Sequence, residues 1–261
     1  MTAALTPTLI AIVTLVVLVA GATNGLAGFG FAVVGTMVLA TVVEPATAVV
    51  FMIVPILAVN VSLVRDLTRE ELRTCSQRFA PLIGAALVGT VVGMAVLDSL
   101  PEAPLRVGLG VLTLGFVASA QRVVPLPGLD AVGRAELGRS SVGMVGVGAI
   151  SGLLFGGTNV GVQLIAYLRS FDLSHGLFVG VVALVFLGLN GIRVGIAGAL
   201  GLYPSLAVVG ASVVAAVPAV AGVAVGKRLR TTVSEGARRA VVLGLLTVVG
   251  VRLVTSGLGI V

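Results

Sequence analysis

The sequence predicts an all-α polytopic membrane protein built as an inverted repeat, each half a membrane-embedded helical hairpin plus three transmembrane helices. Three observations carry this expectation. Of the 261 residues, 58% are hydrophobic and only 10% charged, against roughly 25% charged in a soluble domain. The apolar residues form long unbroken runs of membrane-helix length, not the period-two alternation of a β-barrel. Two of those runs have the wrong length for whole spans, and each carries a Gly-rich, Asn-containing break.

So few charged residues cannot cover a water-soluble surface, which argues against a soluble enzyme or nucleic-acid binder. The net charge of +6 and the pI near 11.0 do not restore a nucleic-acid partner, because the basic residues gather in a few loops between apolar runs. The single Cys75 excludes a disulfide framework, and the single His175 a multi-histidine metal site. No cofactor is expected. The 36 glycines are about twice the usual share of roughly 7%, as close helix packing or broken helices require. Residues 1–5 carry no basic n-region, so the first apolar run reads as part of the mature protein.

In chain order the apolar runs are 5–43, 46–64, 80–97, 105–120, 141–168, 176–197, 204–225 and 238–258. Six read as single spans. The run 5–43 is uncharged and is interrupted by Gly21-Ala22-Thr23-Asn24-Gly25-Leu26-Ala27-Gly28-Phe29-Gly30. The run 141–168 is interrupted by Gly148-Ala149-Ile150-Ser151-Gly152-Leu153-Leu154-Phe155-Gly156-Gly157-Thr158-Asn159. Each reads as a helical hairpin whose tip stays within the membrane, where irregular backbone is tolerated only against protein or a wet cavity. Pro55, Pro81 and Pro218 lie inside or at the start of spans and read as kinks.

The basic residues set the topology. Arg65, Arg69, Arg73 and Arg78 form one loop, Arg122, Arg134 and Arg139 a second, and Lys227, Arg228, Arg230, Arg238 and Arg239 a third. The positive-inside rule makes all three cytoplasmic and both termini extracytoplasmic. The chain must then cross an even number of times between 139 and 227. The runs 176–197 and 204–225 supply both crossings, so 141–168 enters and leaves on one side. The expected organisation is a first repeat over 1–120, a cytoplasmic linker over 121–140 and a second repeat over 141–261. An inverted repeat of this kind is common among secondary transporters. Gly21-Ala22-x-x-Gly25-Leu26 aligns with Gly148-Ala149-x-x-Gly152-Leu153, and Asn60 and Arg65 close a run as Asn190 and Arg193 do.

A helix broken inside the membrane leaves backbone N–H groups aimed at the break, an anion site that needs no charged side chain, and two such breaks, one from each face, are expected to converge near the midplane. Thr23, Asn24, Ser151, Thr158 and Asn159 add neutral donors, and Gly25, Gly28, Gly30, Gly152, Gly156 and Gly157 allow close approach to backbone. The same glycines equally suit helix packing, and the asparagines equally suit capping. Asn60 and Asn190 lie in apolar runs and need partners, whether another helix or a ligand. Arg193 stands near the far end of its span, where the positive-inside rule does not call for it. It is either a functional ionisable group or an arginine that snorkels to the surface. All ten acidic residues fall outside or at the edges of the apolar runs, leaving no intramembrane proton relay, and no Walker A motif or nucleophile motif is present.

At its two hairpins the chain resembles the TauE/SafE family of anion transporters. Asn24-Gly25-Leu26-Ala27-Gly28-Phe29-Gly30-Phe31-Ala32 resembles the family's first Gly-rich motif, and Ser151 through Asn159 followed by Tyr167-Leu168 the second. It departs from the family pattern at Phe31, Thr36 and Thr158-Asn159-Val160-Gly161. The resemblance implies a cell-membrane secondary transporter, not an enzyme, that moves sulfite, an organosulfonate such as sulfoacetate, or a related oxyanion, often as export. An anion channel of the same fold and an uptake system for thiosulfate or a 2-oxo acid are the alternatives. The implied partners are a small anionic substrate and the lipid bilayer, with a homo-oligomer left open.

Overall fold

Hydropathy places most of this chain where no water can satisfy a backbone group, and helix is the local solution. The computed structural model describes residues 6–27, 30–65, 67–120, 140–171, 173–230 and 232–260. Among the described residues the helices are α1 (Pro7–Ala27), α2 (Phe31–Leu39), α3 (Pro45–Phe51), α4 (Ile53–Val64), α5 (Arg69–Arg78), α6 (Ala80–Ser99) and α7 (Glu102–Ala120). After 121–139, the part of the expected linker that lies outside the described residues, come α8 (Ser141–Thr158), α9 (Val162–Arg169), α10 (His175–Ala199), α11 (Leu206–Leu229) and α12 (Glu235–Gly257). Seven helical stretches among the described residues are long and apolar enough to cross a membrane. Leu206, Val142 and Val217 stand exposed on their helices, as a lipid-facing surface requires.

Both long runs divide at their glycine breaks, but unequally. The first becomes a helix of 21 residues and one of 9, the second one of 18 and one of 8. At 1.5 Å per residue each short helix covers roughly half a membrane core. The run 46–64, read as one span, is one membrane-length stretch, Pro45–Val64, interrupted at Met52 between α3 and α4. Pro55 is the cause: it has no N–H for the Phe51 carbonyl four residues back, and Ser212 Oγ on α11 donates to that carbonyl instead at 2.5 Å. Pro81 sits harmlessly at the start of α6. The kink expected at Pro218 does not end its helix, which continues through to Leu229. Residues 69–78, read as loop, form α5. Thr68 and Glu71 close a reciprocal capping box at its start, which holds the Glu71 carboxyl below its ordinary pKa. Ser140, Ser174, Ser205 and Ser234 accept a backbone N–H at the starts of α8, α10, α11 and α12.

Glycines set the tightest contacts. A Cβ on Gly21 or Gly25 of α1 would lie 2.3 or 2.2 Å from the carbonyl oxygens of Ala219 and Val223 on α11. A Cβ on Gly148, Gly152 or Gly156 of α8 would lie 2.4, 2.1 or 2.4 Å from those of Leu82, Ala86 and Thr90 on α6. Residue numbers rise together across both contacts, so α1 runs parallel to α11 and α6 parallel to α8. α7 and α12 pack antiparallel, with Gly110 beside Gly250 and Val254 and Gly257 beside Ala103. α10 lies against α4 and α6, and α11 also against α4.

These directions gather the charges. α10 starts beside Leu67, which a Cβ on Gly180 would strike. It runs away to Ala199, and α11 returns to Lys227 and Arg228. The basic segments 65–78 and 227–230 therefore share one end of the bundle, here the basic end.

Candidate functional site

Both broken helices deliver their breaks to one cleft. It is lined by Asn24 of α1, Gly30 and Phe31 at the start of α2, Asn60 of α4, Asn159 and Gly161 between α8 and α9, and apolar side chains including Val182 and Phe186 of α10. Its cavity measures about 40 Å³. Leu63 and Val179, which lie next to the basic end, also line it.

The first break turns at Gly30, whose φ of 106° is open to glycine and strained for any other residue. Asn24 Oδ1 accepts the N–H of Phe31 at 3.3 Å, one of the donors that the start of α2 leaves without an intrahelical partner. Asn24 Nδ2 is buried and has no hydrogen-bond partner. Thr23 is buried beside it.

The second break turns at Asn159, the one non-glycine residue with positive φ (59°) among the described residues. Asparagine tolerates this region better than other side chains do. Asn159 is fully buried. Its Nδ2 donates to Thr36 Oγ1 at 2.8 Å and to the Val49 carbonyl at 2.9 Å. Its Oδ1 accepts from Arg193 Nη1. Thr158 Oγ1 donates to the Leu154 carbonyl at 2.5 Å and accepts the N–H of Val160 at 3.1 Å. Thr158 thus closes the end of α8.

Arg193 is the largest fully buried side chain among the described residues. Its Nη1 also reaches Asn190 Oδ1 at 3.2 Å, and its Nη2 donates to the Gly156 carbonyl at 3.1 Å. Asn190 Nδ2 donates to the Phe186 carbonyl at 2.8 Å. Gly156 lies in the last turn of α8, where the helix dipole presents negative charge. The guanidinium lies over Phe155, 4.9 Å from the ring centroid, and Phe155 packs on Phe186 with centroids 4.9 Å apart. Arg193 Nε has no partner. Among the described residues no carboxylate lies within ion-pairing reach of Arg193; the salt bridge present joins Arg106 to Glu102. Among the described residues the cation is stabilised by dipoles and a π face.

The structure therefore sorts the residues singled out in the sequence. Asn24, Gly30, Asn60 and Asn159 line the cleft. Asn190 and Arg193 stand behind Asn159 and hold it. Arg193 does not snorkel. Gly25, Gly152 and Gly156 lie in helix contacts, Gly157 faces the Gly93 carbonyl, Ser151 is buried within α8, and Gly28 lies outside the described residues. Sequence reasoning missed Thr36, Gly161 and Ser212 as parts of this network. Thr36 stood out only as a departure from a motif, and Ser212 carries no local signal because its partner is the carbonyl of Phe51 on another helix. No group of three or more His, Cys, Asp or Glu residues among those described is placed to hold a metal.

The family model described as sulfite exporter TauE/SafE matches residues 13–253. No curated protein and no solved structure matches the chain. The chain belongs to the TauE/SafE family, and it is a multi-pass membrane transporter.

Proposed function

We propose that this member of the TauE/SafE family is a secondary transporter, working as an exporter, of a small sulfur-containing oxyanion such as sulfite or an organosulfonate. The anion sits in the cleft between the two breaks. One observation carries this reading: a cleft within the helical bundle has an unpartnered amide donor, Asn24 Nδ2, and behind its opposite wall a buried guanidinium that is ion-paired with no carboxylate among the described residues. A buried cation without a counterion is costly, and a substrate anion supplies the missing charge. At an effective dielectric of about 20, one charge about 8 Å away contributes about 2 kcal/mol to anion binding. Asn24, Asn60 and the N-termini of α2 and α9 supply neutral donors suited to sulfite or sulfonate oxygens.

In this reading the basic end is cytoplasmic, and α1–α2 and α8–α9 are hairpins entering from opposite faces. Two features support an inverted repeat. The first helix of each half packs on the corresponding helix of the other half, α1 on α11 and α8 on α6. The aligned glycine pairs Gly21/Gly25 and Gly148/Gly152 each lie on two carbonyls four residues apart. The lining residues Leu63 and Val179 bring the cleft close to the cytoplasmic end, as loading for export requires.

The test is flux in proteoliposomes. Saturable sulfite or sulfoacetate transport with counterflow is expected, together with a rise in melting temperature in the same ligand. Unitary currents without counterflow would replace the transporter with a channel. Neither flux nor stabilisation by any sulfur oxyanion would overturn the reading. Introduced cysteines near Lys227 that react only from the outer side would overturn the topology.

A further inference from the structure

We propose that a second oxyanion site lies at the end of the bundle opposite the basic end, between Arg106 of α7 and Arg252 of α12. The two side chains line one cleft with Thr41, Leu253 and Ser256. It shares no residue with the central cleft. Positive-inside sorting favours arginines at the basic end and gives no reason for a pair here.

Arg106 is fixed in place. Its Nε and Nη2 reach Glu102 Oε1 at 3.0 and 2.6 Å, and its Nη1 donates to the Ala40 carbonyl at 3.3 Å, at the end of α2. A guanidinium held this way still has outward N–H groups, since it carries five donors. Arg252 has no hydrogen bond or ion pair from its side chain among the described residues. The Thr41 hydroxyl is committed to the Val38 carbonyl at 2.7 Å, which leaves Ser256 as the neutral donor. Two guanidiniums share this cleft, and among the described residues one carboxylate, Glu102, is ion-paired with either of them. Like charges around one cleft repel, and a tetrahedral oxyanion between them removes the repulsion and meets the planar fork of arginine with paired oxygens. The ligand class is a sulfate-like or phosphate-like group, whether a free anion or a lipid headgroup.

The experiment uses full-length protein in two arms. In lipid-free detergent, calorimetry with inorganic sulfate counts sites. In nanodiscs containing phosphatidylglycerol, native mass spectrometry after release counts retained lipid. Expected is either a sulfate site or a retained phosphatidylglycerol that Arg252→Ala weakens by about tenfold or more and Arg252→Lys weakens less. The site must survive Asn24→Ala in the central cleft and the control Arg73→Ala on α5. Arg252 is exposed, so its variants keep the fold, and Arg106→Gln is the second probe. Sulfate binding identifies the free anion as the ligand, and lipid retention alone identifies the headgroup. If Arg252→Ala and Arg106→Gln leave sulfate stoichiometry and lipid retention unchanged, there is no such site. Loss of the site in Asn24→Ala alone would assign that anion to the central cleft and overturn the second site while sparing the first.

Discussion

Replacing Asn159 by Asp changes the charge at the second break while keeping its shape. Aspartate also tolerates the left-handed backbone found there. Its carboxylate still accepts from Arg193, as Asn159 Oδ1 does. The oxygen that replaces Nδ2 loses the bond to the Val49 carbonyl, while the Thr36 hydroxyl can turn to donate. Losing that bond and setting a carboxylate oxygen against the Val49 carbonyl oxygen costs about 1–3 kcal/mol, and the new ion pair with Arg193 offsets part of it. Asn159→Asp should therefore fold. For an anion in the cleft the change is larger, because Asn159 and Arg193 together fall from one positive charge to none. At about 6 Å and an effective dielectric of about 20 this removes about 3 kcal/mol, or about a hundredfold in apparent affinity. The assay is concentration-dependent sulfite transport in proteoliposomes, with the melting temperature measured on the same preparation. Asn159→Gly, which accepts the same backbone without adding charge, should lose much less affinity. A folded Asn159→Asp protein with wild-type KM would refute the reasoning, since no anion would then pass near Asn159.

Three further outcomes follow from the same geometry. Arg193→Lys cannot span the acceptors on Asn159, Asn190 and Gly156. It should lose about 2–4 kcal/mol of stability and raise KM, with Arg193→Met raising KM further; unchanged KM in both variants would leave Arg193 a purely structural role. Gly25→Leu and Gly152→Leu put side chains where even a Cβ lies 2.2 or 2.1 Å from a neighbouring carbonyl oxygen, whereas a Cβ on Gly188 meets nothing within 4 Å. The first two should abolish a monodisperse peak in detergent chromatography and Gly188→Ala should not; well-folded leucine variants would contradict the parallel packing. Thr68→Ala removes the α5 cap, worth about 1 kcal/mol, and should speed maleimide labelling of buried Cys75 about fivefold. Burial already raises the pKa of that thiol. Because Glu71 titrates below its ordinary value, the cap's contribution is full above the unfolded carboxylate range. It is lost only as pH falls through the lowered value. Hydrogen exchange of α5 that is independent of acid pH would argue against the cap.

Composition and hydropathy alone determined that this chain lives in a membrane, where its apolar helices begin and end within a few residues, and that the two overlong runs break; the interruption at Met52 was not among these. Those properties are local: a run of apolar residues needs lipid or protein around it whatever its neighbours are, and Asn24, Gly30 and Asn159 permit the turns wherever they pack. The tertiary structure decided what each polar group does. Hydropathy marked Asn190 and Arg193 as one face of a helix but could not say that the face meets the end of α8, 34 residues earlier at Asn159. The same amino acid, glycine, serves as a turn at Gly30 and as a contact at Gly25 and Gly152, and only the opposing carbonyl distinguishes them. Pro55 announced a kink, but the partner of the freed Phe51 carbonyl, Ser212, lies 161 residues away. Helical periodicity reports which residues share a face. What that face touches depends on how separate helices associate, and in a membrane that is settled by shape and by buried hydrogen bonds between segments remote in sequence.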